Sequence, residues 1–211
     1  MRRLGMREIA LCCGLLWGAV AVIPSNASAT VMTKLSLADM TARAEHVLLG
    51  RVEQIRSRML PGHDGLIVTE VQIRCTRSIR GQKEGALVQV RHLGGSVGEL
   101  GQKVFGEASY QVGEEVVLFL EPREGALYAV GMAQGKMHVD RSNGNARVSV
   151  DLGGAELISP TGNDALPTAQ GIALDALLGQ LAELAQRIPA PSARIKSATG
   201  GSDGAKAGQK P

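Results

Sequence analysis

The apolar positions in the middle of the chain predict the centre of a β-sheet. Residues 116–120 form a continuous apolar run that is rich in β-branched side chains and is bounded by turn residues. A run this short is typical of a strand that is buried on both faces. Residues 122–125 then predict a turn, and residues 127–132 predict the partner strand. We expect the rest of the chain to be arranged around residues 110–140.

Alternation of apolar and polar residues predicts further strands on either side of this hairpin. The most regular alternation covers residues 67–76 and places Cys75 among the inward-facing positions. Such a pattern is typical of a half-buried antiparallel strand, in which an inward cysteine is inert packing rather than a reactive thiol. Shorter alternating segments predict strands at 86–93, 135–140 and 146–152. The last two are joined by the hairpin turn Asn143-Gly144.

A long strand is predicted at residues 47–59, with one irregularity. Its alternation changes phase near Gly50, so that Leu48 and Val52 face one way and Ile55 the other. A glycine at a change of phase indicates a bulge or a sharp bend.

Two helices are predicted, one near each end of these strands. Ser36 and Asp39 have the spacing of a helix N-cap with an acid three residues on, which predicts a helix over residues 37–45. Leucines at helical spacing predict an amphipathic helix over residues 171–188, packed on the sheet. Five to seven short strands with two helices favour a small β-barrel or sandwich.

The first 29 residues have the pattern of a secretory signal peptide. Three arginines precede an apolar run at residues 9–23, and Ala27-Ser28-Ala29 forms a small-residue cleavage site before Thr30. The run is shorter than the roughly 20 residues that a membrane span needs. We therefore expect export to the periplasm or the cell exterior, with no stable membrane insertion after cleavage.

Charge and cysteine content narrow the class of protein further. The formal net charge of the chain is +3, and losing residues 1–29 leaves 20 basic and 19 acidic side chains. Residues 190–211 carry most of the remaining positive charge, so the folded part is slightly acidic and nucleic acid is not an expected partner.

Cys75 is the sole cysteine of the processed chain, which excludes an internal disulfide. An apolar core must hold the domain together.

The predicted organisation has five parts. They are a signal peptide at 1–29, a β-barrel domain at 30–152, a connector at 153–170, an amphipathic helix at 171–188 and a disordered tail at 189–211, whose composition is dominated by small and polar residues.

One segment matches a catalytic motif. Residues 94–98 have the G-x-S-x-G form of a nucleophile elbow, which would expose Ser96 at a turn from strand to helix. The residues after Ser96 form a poor helix start, and the chain lacks the alternating strands and helices that this motif requires. A glycine-rich loop between strands is the favoured interpretation, and a serine hydrolase is a minor alternative.

The histidines predict no metal site, because none of them forms an HxH, HxxxH or HExxH pair. His92 and His138 lie on predicted strands and are expected to face outward. We expect no catalytic residue, no metal ligand and no cofactor.

Four segments together resemble a known family. They are Ala44-Glu45-His46-Val47-Leu48-Leu49-Gly50-Arg51-Val52, a long strand ending in Ile79-Arg80-Gly81, the strand at 113–120, and the segment at 128–139. Their order resembles the netrin-like domains, which include the tissue inhibitors of metalloproteinases, and bacterial exported proteins of similar layout. The likeness covers about residues 36–140. It implies a five-stranded OB-type barrel with packed helices.

The resemblance implies the fold of this family but not its inhibitory chemistry. In the inhibitors, the mature chain begins with a cysteine whose amine and carbonyl chelate the protease zinc, and disulfides hold that end against the barrel. Here Thr30 stands in the comparable place, and no disulfide can hold it. A shared fold does not by itself imply a shared activity.

These observations lead to one expectation with two alternatives. We expect an exported, mainly β protein: a small OB-like antiparallel barrel with a short N-terminal helix and a C-terminal amphipathic helix. Its role is expected to be non-enzymatic binding of another exported protein, at loops 60–65 and 94–106. The candidate contact residues are Thr30, Val31, Gly94, Gly95 and Ser96. The alternatives are an inhibitor or accessory partner of an exported metalloprotease, acting through residues 30–34, and the hydrolase that uses Ser96.

Overall fold

The computed structural model describes residues 30–63, 65–142, 144–158 and 171–192. The predicted signal peptide and residues 193–211 of the predicted tail lie outside them. The helices are α1 (Leu37–Arg43) and α2 (Leu174–Arg187), and a 3₁₀ turn covers Met132–Gly135. The strands are β1 (Val31–Thr33), β2 (His46–Met59), β3 (Ile67–Arg80), β4 (Leu87–Leu93), β5 (Gly95–Val97), β6 (Leu100–Gln102), β7 (Glu115–Arg123), β8 (Ala126–Ala129), β9 (Lys136–Asp140), β10 (Arg147–Ser149), β11 (Glu156–Ile158) and β12 (Ile172–Ala173).

Eight of these strands form one mixed sheet, in the order β12-β10-β9-β7-β2-β3-β4-β8. Because β8 also pairs with β7, the strands β2, β3, β4, β8 and β7 close into a ring of five. The pairings within the sheet are antiparallel except for β4 with β8, which is parallel and rests on the single pair Val90 and Leu127. The prediction of a mainly β fold is confirmed.

Strand β7 separates two apolar cores, as its continuous apolar run predicted. Val116, Leu118 and Leu120 belong to the ring core, and Val117 and Phe119 point to the opposite face. All five side chains are fully buried. The ring core also contains Leu48, Val52, Val71, Ile73, Cys75, Val88 and Val90. The opposite face, which we call the helix-side core, meets residues of α1 and α2 such as Met40, Leu177 and Leu181.

The pairing of β2 with β3 is irregular near Gly50, where the sequence predicted a bulge or bend, and at two further places. The register shifts between Leu49 and Gly50, and a Cβ at Gly50 would lie 2.6 Å from Ile73 Cγ2. The prediction that Ile55 faces away from Leu48 and Val52 is wrong. Of the other two register shifts, the one between Val52 and Gln54 returns Ile55 to the side of the ring core.

Polar side chains cap the start of α1 and the C-terminal ends of both helices. Ser36 and Asp39 form the predicted capping box at the start of α1. At the other ends, Arg80 of β3 donates hydrogen bonds to backbone carbonyls of both helices. Its acceptors are Thr41 (2.7 Å), Ala44 (3.3 Å), Ala185 (3.1 Å) and Ile188. One guanidinium therefore satisfies carbonyls that the two helix ends leave without internal partners.

Three short pairings were not predicted. Strands β5 and β6 form a small antiparallel hairpin within the glycine-rich loop after β4. Strand β11, within the predicted connector, pairs in parallel with β1. Strand β12, within the predicted helix at 171–188, pairs with β10, so that the helix begins only at Leu174. Each of these strands has at most three residues, which is too few for apolar and polar positions to show a period.

Candidate functional site

A pocket of about 620 Å³ lies beside the end of β4. We call it the rim pocket. The ring strand β4 supplies one wall, and the hairpin β5–β6, the loop after it and the loop before β11 supply the others. Its lining comprises His92, Leu93, Gly95, Ser96, Gly101, Gln102, Lys103, Val104, Glu107, Ala108, Ser109, Asp151, Gly153 and Gly154.

The hairpin β5–β6 is fixed against the β2–β3 hairpin by polar contacts. The backbone amide of Ile67 donates to Gln102 Oε1 (2.8 Å), and the Thr69 hydroxyl donates to the carbonyl of Gly94 (2.7 Å). Gly95 has a φ of 130°, and a Cβ there would lie 2.3 Å from Thr69 Oγ1. No other residue fits at this position without displacing the hairpin.

Ser96 follows directly and is exposed at the mouth of the pocket. It lies within an antiparallel hairpin, opposite Gly101, rather than at a corner between a strand and a helix. The G-x-S-x-G segment therefore lacks the backbone geometry of a nucleophile elbow.

His92 forms part of the pocket wall, and the prediction that it faces outward is wrong. Its ring stacks on Tyr110 with centroids 5.5 Å apart, and its Nδ1 lies 3.0 Å from the backbone oxygen of Leu93. Burial lowers the pKa of His92, which favours the neutral imidazole at pH 7. The alternation along β4 could have predicted the inward position of His92. Val88 and Val90 face the ring core, and His92 lies two residues further along the same face.

Glu107 lines the pocket from the loop after β6. Burial raises the pKa of its carboxyl, and hydrogen bonds accepted from the backbones of Leu93 and Ala108, with the charge of Arg123, oppose that shift in part. His92 and Glu107 are thus both shifted toward their neutral forms, because burial penalises a charge of either sign. The sequence contained no signal for Glu107, since its place depends on how the loop after β6 folds back.

Behind His92 and Tyr110 lies a buried ion pair. The side chains of Glu114 and Lys136 contact each other and are 8% and 5% exposed. The amide of Gln111 donates to Glu114 Oε2 (3.0 Å), and His138 Nδ1 lies 2.9 Å from Glu114 Oε1. The prediction that His138 faces outward holds only in part, because its side chain is 45% exposed.

Tyr110 connects this ion pair to the pocket wall. Lys136 Nζ lies 5.4 Å from the centre of the Tyr110 ring, whose other neighbour is His92. Burial and the nearby carboxylates of Glu107 and Glu114 raise the pKa of Tyr110 above its ordinary value. The phenol is therefore neutral at pH 7.

The candidate contact residues fall into two places. Gly95 and Ser96 line the rim pocket, and Gly94 anchors it through the bond from Thr69. Thr30 and Val31 are not among its lining residues. They belong to the start of β1, where the Thr30 carbonyl accepts a hydrogen bond from the amide of Glu156 (2.9 Å).

This placement bears on the inhibitor alternative. A carbonyl that chelates zinc must be free to turn toward the metal, whereas the Thr30 carbonyl pairs with β11. Inhibition in the manner of the metalloproteinase inhibitors would first have to break this ribbon. The geometry disfavours that alternative.

Within the described ranges, no group of three or more histidine, cysteine, aspartate or glutamate side chains is arranged to hold a metal ion. Neither helix of this part of the chain is long and apolar enough to cross a membrane. In comparisons with known proteins, no protein family matches the chain, and no curated protein matches it significantly.

Proposed function

We propose that this protein is an exported, non-enzymatic binding module of netrin-like type, and that its five-stranded ring is an OB-like barrel. Its rim pocket is the recognition site for a segment of another exported protein. The observation that carries the proposal is the pocket itself, which is built from loops on a closed ring of strands around an apolar core. Loops on a rigid scaffold are the usual carriers of recognition.

The chemistry of the pocket favours a polypeptide as its occupant. His92 and Glu107 are both shifted toward neutral forms, and Lys103 and Asp151 contribute opposite charges. The remaining lining is largely glycine and serine, which presents backbone and hydroxyl groups. Such a surface offers hydrogen bonds without a dominant charge, and an extended peptide segment has matching donors and acceptors.

Site-specific photo-crosslinking tests the proposal. A photoreactive amino acid placed at Ser96 or at Ser109, on two different walls of the pocket, should crosslink the same protein in the exported fraction. The matched control is Gln180, which is exposed on α2 outside the pocket. A partner captured equally from Gln180, or none captured from either serine, would contradict the proposal.

A hydrolase that uses Ser96 is the second candidate, and one observation favours it: Ser96 and the neutral imidazole of His92 line the same pocket. A binding role is preferred because the Nδ1 of His92 contacts a backbone oxygen, so no carboxylate orients the ring as in a catalytic triad. Labelling by a fluorophosphonate that disappears in Ser96→Ala but persists in Ser109→Ala would favour the hydrolase. Equal labelling of both variants, or none, would contradict it.

A further inference from the structure

We propose that a second pocket, on the opposite side of β2 from the ring core, binds a phosphate-type oxyanion. Three arginines line it: Arg77, Arg141 and Arg147. We call it the arginine pocket. Its volume is about 410 Å³. The inference does not depend on the function proposed for the rim pocket, because the two pockets share no lining residue.

The three arginines come from separate parts of the chain. Arg77 lies on β3, Arg141 directly follows β9, and Arg147 begins β10. The fold brings them together over an apolar base that includes Leu49 and Leu174, both of which are buried. Three guanidinium groups lining one concave place supply positive charge that a bound anion would offset.

The guanidinium groups retain donors for such an anion. The guanidinium of Arg77 has no hydrogen-bond or ion-pair partner among the described residues. Arg141 uses Nε and Nη2 to contact Glu115, at 2.6 and 2.9 Å, and its Nη1 remains available. Arg147 uses Nη1 to donate to the carbonyl of Gly171 (2.8 Å), so its Nε and Nη2 remain available.

Compensating charge in the pocket is incomplete. Asp175 is the acidic member of the lining, and Glu115 balances Arg141 from outside it. Within the lining, Asp175 stands against three guanidinium groups; outside it, Asp140 lies opposite Arg147 in the pairing of β9 with β10. The planar fork of an arginine matches two oxygens of a phosphate at once, which a single ammonium group does not.

The size of the pocket bears on where the phosphate comes from. A free inorganic ion would occupy a small part of it, whereas a phosphate monoester could also place its organic group against Leu49 and Leu174. The shared chemistry is a dianionic phosphate held by arginine forks. The two sources are separated by comparing inorganic phosphate with phenyl phosphate.

The experiment titrates each anion into the purified protein while the backbone amides are followed by NMR. We expect shifts to concentrate at the pocket, with weak binding because the arginines are solvated, and with weaker binding at higher salt. In Arg77→Gln and in Arg147→Gln the affinity should fall about tenfold, which corresponds to the loss of a charge-assisted hydrogen bond. Tighter binding of phenyl phosphate would identify an ester as the ligand, and equal binding would identify the free ion.

The matched control is Arg56→Gln, which removes an exposed arginine of β2 that does not line the pocket. Its affinity should equal that of the unaltered protein, and the melting temperatures of all variants should agree. The inference is overturned if Arg56→Gln weakens binding as much as the other two variants. It is also overturned if neither anion shifts the amides of the pocket.

Discussion

Replacing Glu114 by glutamine, which has nearly the same shape, should destabilise the fold. Its carboxylate faces buried Lys136, half-exposed His138 and the amide of Gln111. Replacing Glu114 by Gln leaves the Lys136 ammonium buried beside a neutral amide. Removing one partner of a buried pair typically costs about 3–5 kcal/mol of unfolding free energy, which urea denaturation would measure.

The matched control for Glu114→Gln is Glu53→Gln. Glu53 also pairs with a cation, Arg74, but both side chains are well exposed. Surface pairs contribute little to stability, so this variant should unfold at the same urea concentration as the unaltered protein. Equal effects of the two substitutions would contradict a structural role for the buried pair.

His92 makes stability depend on pH. Burial lowers the pKa of His92, and likewise that of His46, relative to the unfolded value of 6.5. The unfolded chain therefore binds more protons than the folded chain as the pH falls below that value. The unfolding free energy should decrease from pH 7 to pH 5, by at most about 1.4 kcal/mol per pH unit for each histidine.

Glu107 acts in the opposite direction. Burial raises the pKa of its carboxyl above 4.5, so its contribution to stability is complete at low pH and is lost as the pH rises through the folded-state pKa.

The histidine variants His92→Asn and His46→Asn test the first effect. Between pH 7 and pH 5, their unfolding free energy should change less steeply with pH than that of the unaltered protein. Slopes that remain unchanged in both variants would contradict the burial of these imidazoles.

At the scale of elements, Arg80 joins the two helices to the ring. Its hydrogen bonds to the ends of α1 and α2 link elements more than a hundred residues apart in the chain. Arg80→Ala should lower the unfolding free energy by about 3 kcal/mol, since hydrogen bonds from a charged donor contribute about 1.5–3 kcal/mol each and are not additive. Denaturation followed by circular dichroism would measure this.

Arg77→Ala is the matched control for Arg80. It removes the same side chain from the same strand at a position where no described residue accepts a hydrogen bond from it. Its stability should therefore stay close to that of the unaltered protein. If both variants lost the same stability, the contacts at the helix ends would not be responsible.

Some elements are predicted by the sequence better than others, because only some carry a clear pattern of apolar residues within their own length. Strand β3 and helix α2 each bury a periodic set of apolar residues and β7 buries a continuous apolar run, so their own residues determine them. The irregularity near Gly50 was visible in the same way. The register shift before Gln54 was not, because no glycine or proline marks it.

The sequence predicted where the rim pocket lies, but not all of the residues that line it. The glycines at 94–106 indicated a loop, and alternation from Val88 and Val90 placed His92 on the inner face, although the residue was interpreted as exposed. Glu107 lines the pocket, and Tyr110 stacks on His92 of its wall, because the chain after β6 folds back. Non-local folding of this kind leaves no periodic trace in the sequence.

At the scale of the whole molecule, the reactivity of the Cys75 thiol is a probe of whether the ring is folded. Its thiol is 1% exposed inside the ring core, and burial raises its pKa. A thiol reagent should therefore modify Cys75 only when the ring unfolds, at a rate that increases with denaturant. Mass spectrometry of the peptide that contains Cys75 would follow the reaction. Modification of the native protein at the rate of a free thiol would contradict this arrangement.

The closure of the ring through one residue pair, Val90 with Leu127, has a consequence for motion. Strands β2 and β3 pair along most of their length, whereas β4 and β8 share the least backbone contact of any two neighbours in the ring. Transient opening should begin between β4 and β8 and leave the β2–β3 hairpin closed. Hydrogen–deuterium exchange would then be faster in Ala126–Ala129 than in the paired part of β3, and this junction is where a partner strand would gain entry to the ring.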